Sequence, residues 1–340
     1  MAVSFNGILY PQTMVEDIFN NIFLNSNTIK NNLITIDTNH KSDAFVTEAK
    51  VAVTASVFNS GPVNVTGNIS AIATTSPVTL TTFNYEDVLS EDVLKKTRFE
   101  ASMARGAFNI LSSEFDRKVM VNVAPAIAED IDAQLWNGAT ASTKVAVAGD
   151  AGISAANKAI VAAMPVSQFD SLATKSIYNT SLSKVVPGAG AADVIQTPAT
   201  AVITAANIAA EYQKMIAASN IKAKNDKVNP QVFFVPFNDR DLIFEANNSA
   251  TNYNRQFIVT GEGDNEVIKF QGRVIDFVPL GSVRFLSARR YLLGLTDLIS
   301  DVAGMIVVPE ANASMRTVWK NIQTWATHIV NQTYVTVHIK

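Results

Sequence analysis

The sequence predicts an α+β fold. Three observations carry this reading: a helix-rich stretch over residues 83–138, a Val- and Thr-rich stretch over 40–82 that alternates like a hairpin, and a final segment, 327–340, with strand-like alternation. The chain has 340 residues, room for one large or two ordinary domains.

In the helix-rich stretch, Asn84 reads as an N-cap with Glu86 and Asp87 in the first turn, where the helix dipole favours acids. Ser113 offers a second N-cap, followed by Glu114 and Asp116. The second helix is predicted over about 114–137, with Gly138 as a left-handed C-terminal cap. Such a rod is roughly 35 Å long at 1.5 Å per residue. Phe115, Val119, Val123, Ile127, Ile131 and Leu135 recur every four residues. On a 3.6-residue helix that stripe drifts by about 40° per step, so it suits a helix crossing a sheet diagonally. Pro125 removes one backbone donor and is expected to bend the rod. An ordinary core helix of a globular enzyme fits the same stretch.

Residues 1–39 read as an arm. A short amphipathic segment (Met14, Ile18, Phe19, Ile22, Phe23) precedes the polar run NSNTIKNN and needs another surface to lie on. Residues 40–82 read as a long two-stranded hairpin, with Val51, Val53 and Val57 alternating before the turn signal Asn59-Ser60-Gly61-Pro62 and Val63 and Val65 after it. Arms of about 15 residues would reach about 50 Å. An isolated two-stranded ribbon is marginal in water, so either a neighbouring molecule holds it or it folds back on its own core.

Residues 139–200 are rich in Ala, Thr, Ser, Val and Gly, and no element can be placed there from pattern alone. A helix is predicted over about 205–218, burying Ile208, Tyr212, Met215 and Ile216 on one side. QVFFVPF, after Asn229-Pro230, is a continuous apolar run suited to a strand covered on both faces. Asn238 or Asp239 can cap the helix DRDLIFEANN. Gln271-Gly272 joins two strands, 267–270 and 273–278, as a hairpin turn needing positive φ. RRYLLGLTDLI and GMIVVPE are further strand candidates. In the last segment Val335, Val337 and Ile339 face one way and Thr336, His338 and Lys340 the other, predicting a strand with one face covered.

Charged residues are only 17% of the chain and apolar residues 48%. The charge is below the roughly 25% usual for soluble proteins, which fits surface covered by other subunits. The net charge of −3, with no run of Lys or Arg, argues against a tight nucleic-acid binder. The absence of cysteine excludes disulfides and thiolate metal sites and suits a reducing cytosol. MAVSFNGILYPQT is not a secretory signal. The most apolar long stretch, 185–210, is interrupted by Gly, Pro, Asp, Gln and Thr, so no bilayer span and no membrane partner are expected.

The chemistry expected is none: no catalytic, cofactor-binding or metal site. GxxxxGK, a strand-linked GxGxxG and GxSxG are all missing. Gly261-Glu262-Gly263-Asp264 is a GxG among acids, read as a surface turn. His40, His328 and His338 lack the i, i+4 helical spacing of a zinc site. The pairs Asp130/Asp132 and Asp239/Asp241 are two apart on helices and point in different directions, so they are assigned solvated and capping roles. Asn64, Asn68, Asn179, Asn312 and Asn331 begin Asn-x-Ser/Thr triplets that read as chance in so Asn-, Ser- and Thr-rich a chain.

The order of parts (arm, long hairpin, helices ending EDIDAQLWNG, then NPQVFFVPFNDRDLI, VIKFQGRVIDFVPL, YLLGLTDLI and returning strands) resembles the HK97-fold major capsid protein of tailed bacteriophages over nearly the whole chain. The resemblance implies an N-arm at 1–39, an E-loop hairpin at 40–82, a peripheral P-domain from 83–138 (including the spine helix) and 301–340, and a mixed-sheet axial A-domain at 139–300. It implies a structural subunit, not an enzyme, that builds hexamers and pentamers of an icosahedral head around double-stranded DNA. The virion would be its location, after assembly in the host bacterial cytoplasm. Inter-subunit contact would fall on the E-loop tip (Phe58, Asn59, Ser60, Gly61, Pro62, Val63) and on the N-arm (Ile18, Phe19, Ile22, Phe23). Portal, scaffold and decoration proteins are the implied partners, with a separate scaffold or none because only about 39 residues precede the hairpin. Some members cross-link Lys to Asn; Lys41, Lys50 and Lys175 are present here, but nothing marks a pair, and non-covalent assembly is expected. The competing readings are an encapsulin-like compartment shell, a phage tail-tube protein, and an enzyme of unfamiliar α+β fold.

Overall fold

The computed structural model describes residues 26–38, 43–53, 69–90, 113–178, 195–198, 202–249, 256–261, 266–296, 303–309, 315–330 and 334–339. In chain order the helices are α1 (Asn27–Lys30), α2 (Ser113–Trp136), α3 (Ala141–Gly149), α4 (Ala155–Ala163), α5 (Leu172–Ile177), α6 (Ile208–Ala218), α7 (Ile221–Asn225) and α8 (Asn238–Ser249). The strands are β1 (Thr35–Asp37), β2 (Asp43–Val53), β3 (Ile69–Thr79), β4 (Thr81–Ser90), β5 (Ile195–Pro198), β6 (Val232–Pro236), β7 (Phe257–Thr260), β8 (Val267–Phe270), β9 (Arg273–Val278), β10 (Val283–Ser287), β11 (Leu292–Thr296), β12 (Ala303–Pro309), β13 (Met315–Ile329) and β14 (Thr336–Ile339).

They form three sheets. β13 is the hub of the first, pairing with β12, β4 and β11, while β1 adds in parallel to β11. The second is mixed, in the order β5-β14-β10-β6-β9-β8-β7. The third contains β2 and β3 alone.

The continuous apolar run of β6 is explained by what lies on each side. Phe234 faces a core shared with Leu135 and Trp136 of α2, Leu172 of α5, Phe285 of β10 and Trp325 of β13. Phe233 and Val235 face a second cluster with Tyr212 and Met215 of α6 and Ile243 of α8. Trp136 lies 5.2 Å from the Phe234 ring, and Tyr212 stacks on Phe233 at 4.9 Å. The β8–β9 turn has the expected positive φ at Gln271 (48°) and Gly272 (78°).

Four expectations are corrected. Asn84 does not cap a helix, because 81–90 is strand β4, paired with β13 from Thr81↔Trp325 to Ser90↔Arg316. Ten residues of ladder, with Phe83 buried and stacked on Phe169, outweigh a local capping signal. Gly138 is not left-handed; a Cβ there would lie 2.7 Å from the Cβ and Oγ of Ser167, so the glycine serves close approach. β14 is covered on both faces, with Thr336 and His338 as buried as Val337. Asp132 and Asp239 are buried rather than solvated. The stretch that resisted placement holds α3, α4 and α5, whose N-caps Thr140, Ser154 and Ser171 accept from the backbone N–H three residues on.

Candidate functional site

The ribbon of β2 and β3 is the feature hardest to account for within one subunit. Its register runs from Asp43↔Thr79 to Val53↔Ile69. Eleven residues per strand give an arm of about 37 Å at about 3.4 Å per residue. The described side chains near its base are anchored: Ala44, Val78 and Leu80 pack with Leu293 and Leu295 of β11 and Ala326 of β13. Beyond the base the ribbon belongs to no larger sheet. The expected contact residues Phe58, Asn59, Ser60, Gly61, Pro62 and Val63, and Ile18, Phe19, Ile22 and Phe23, lie outside the described residues, as do Lys41 and His40.

The base of the N-terminal arm is fixed by a device that sequence pattern did not reveal. Asp132 of α2 accepts from the Ser26 hydroxyl (2.5 Å) and from the Asn27 backbone N–H (2.7 Å), so it caps the short helix α1 from another element. Trp136 donates its indole N–H to the Thr28 hydroxyl at 2.8 Å. Two residues before Asp132, Asp130 accepts from the Tyr85 hydroxyl of β4 at 2.5 Å, tying the first sheet to α2. Together these join α1, α2 and the first sheet near the C-terminal end of α2.

Two buried ionic groups fix the second sheet to its helices. Arg284 of β10 grips Asp239 of α8 with both Nε and Nη2 at 2.6 Å, and Tyr212 donates to the same carboxylate at 2.8 Å. Burial, with Asp239 alongside, raises the Tyr212 pKa well above its usual value. His338 of β14 meets Glu211 of α6 at 2.9 Å, and Lys214 holds the other Glu211 oxygen at 2.7 Å. Arg284 could have been singled out as the one cation in the apolar run VRFL; nothing in the sequence paired it with Asp239.

A cleft of about 270 Å³ opens beside the ribbon base, lined by residues including Val78, Thr140, Asp170, Lys175 and His328. Its acid is engaged: Asp170 accepts from the Thr140 N–H (3.0 Å) and the Thr143 hydroxyl (2.7 Å). Among the described residues no three His, Cys, Asp or Glu side chains come together as a metal site. No described helix is long and apolar enough to cross a membrane.

No family model and no curated protein matches this sequence. Solved structures do. The chain is similar to the satellite phage P4 procapsid that includes the Sid protein (TM-score 0.54, 9% identity, 96% of this chain and 98% of that one). It is similar to the capsid of the native GTA particle (TM-score 0.55, 10% identity, 100% and 93%). It is also similar to the SrpI encapsulin of Synechococcus elongatus PCC 7942 (TM-score 0.50, 8% identity, 99% and 92%). At such identities the likeness is one of fold, and it spans the whole chain. The protein therefore has the α+β fold that these structures share. More particularly, that architecture is the HK97-like capsid fold that the order of parts resembles.

Proposed function

We propose that this chain is a major capsid protein, a non-enzymatic subunit that assembles into hexamers and pentamers of an icosahedral phage head around double-stranded DNA. The ribbon carries the proposal. A two-stranded sheet that joins no larger one is marginal in water, and a neighbouring copy is the economical support. The fold shared with phage and GTA capsids supports it, as does the sparse charge, since interface cores are depleted in charged residues. On this reading the E-loop tip at 58–63 and the arm residues Ile18, Phe19, Ile22 and Phe23 contact other copies. Residues 83–138 and 301–340 supply the peripheral domain and 139–300 the axial one. Portal, scaffold and decoration proteins are the expected partners, the virion the expected location and the host cytoplasm the site of assembly.

The test is the size of the purified protein by sedimentation and negative-stain microscopy. Closed particles of megadalton mass are expected; a discrete dimer or tetramer would overturn the proposal. The encapsulin likeness favours one second reading, a compartment shell. Nucleic acid inside native particles supports the head, and packaged enzyme supports the compartment.

A further inference from the structure

We propose that copies meet head to tail through two complementary patches that flank β6. The first lies before the strand. Ile221 and Val228 are 71% and 86% exposed, beside the exposed Lys222 and Lys227, whose ammonium groups have no partner among the described residues. The second follows the strand. Phe237 is 56% exposed, and Asp241 and Glu245 succeed it at four-residue steps on α8, exposed and likewise unpaired among the described residues.

The neighbouring charges are already committed. Asp226 beside the basic patch is held by Arg290 at 3.0 Å, and Arg240 beside the acidic patch is held by Glu266 at 2.7 Å. Each patch therefore presents two free charges of one sign next to bare apolar surface. Lys227 and Val228 precede the first residue of β6 and Phe237 follows its last, so these two apolar anchors flank a strand that spans about 17 Å. A second copy of this chain offers each patch its complement in charge and apolar surface. The patches differ, so the contact is heterologous, and a heterologous contact closes into a ring when the rotation allows. Ile221 and Val228 would cover Phe237 at the centre while the charges set register, the arrangement that gives specificity at an interface rim.

This inference rests on the shell reading and names a contact that the reading leaves open. The test is charge reversal in the full chain, with particle yield read by sedimentation. Lys222→Glu/Lys227→Glu and Asp241→Lys/Glu245→Lys should each lower particle yield by at least about tenfold, and the four changes together should restore it. The neutral pair Asp241→Asn/Glu245→Gln, which leaves the first turn of α8 less disturbed, should raise the protein concentration needed for assembly. Unreduced yield from the reversals, or no rescue by the fourfold variant while its subunits melt like the parent, would overturn this contact alone. A parent protein that never forms particles would instead overturn the shell reading and this contact with it.

Discussion

Asp239 and Arg284 occupy a layer from which water is excluded, with side chains only 1% and 5% exposed. Removing one partner leaves the other charge stranded, so Asp239→Ala should cost about 3–5 kcal/mol in denaturant unfolding. A loss below about 1 kcal/mol would mean that water reaches the pair. His338, a few ångströms away, makes stability depend on pH. Burial lowers its pKa below the usual 6.5, the Glu211 contact opposes this, and Arg284 and Lys214 add to the lowering. Between the lowered value and 6.5 the unfolded chain binds the extra proton. The stability is therefore complete above about pH 6.5 and drains as pH falls through that value. Glu211 itself is held below 4.5, because its bonds to Lys214 and His338 outweigh the opposing effect of burial, so its share is lost only at lower pH. The parent's urea midpoint should fall between pH 7.5 and pH 5.5, and that of His338→Gln should fall less; an equal fall in both would remove the histidine from the account.

At the scale of elements, α2 gathers α1, the first sheet and the core at one end. Gly138, just past that end, faces Ser167 at van der Waals limits, so Gly138→Ala should destabilise by about 1–3 kcal/mol through displaced packing. An unchanged melting temperature would show that the 165–171 loop yields freely. Much at this scale was legible in the residues. The VFFVP run read as a doubly covered strand because no position in it is polar, and Gln271-Gly272 read as a turn because its backbone requirement is local. β4 was not legible, since Asn84, Glu86 and Asp87 mimic a helix start and the ladder that overrides them comes from residues 226 to 244 positions away. The helices α3 to α5 were hidden for another reason: they are short, and α3 and α4 are alanine-rich, so their period is faint although their Ser and Thr caps are in plain sight. At the candidate site, the ribbon was legible from its alternation, while the long-range cap at Asp132 depends on which elements meet and left no local mark.

At the scale of the whole molecule, one core binds α2, α5 and two sheets, while the third sheet is anchored near its base and joins neither of the others. Deleting the tip, residues 58–65, should leave the subunit folded with its melting temperature nearly unchanged yet stop shells from closing; normal closure would show that the tip bridges nothing. Hydrogen exchange across 43–53 and 69–79, compared between dissociated subunits and assembled particles, tests the central claim most directly. The account predicts fast exchange in free subunits and protection rising by at least about a hundredfold on assembly. Equal, strong protection in the isolated subunit would show that the ribbon supports itself and would contradict the account.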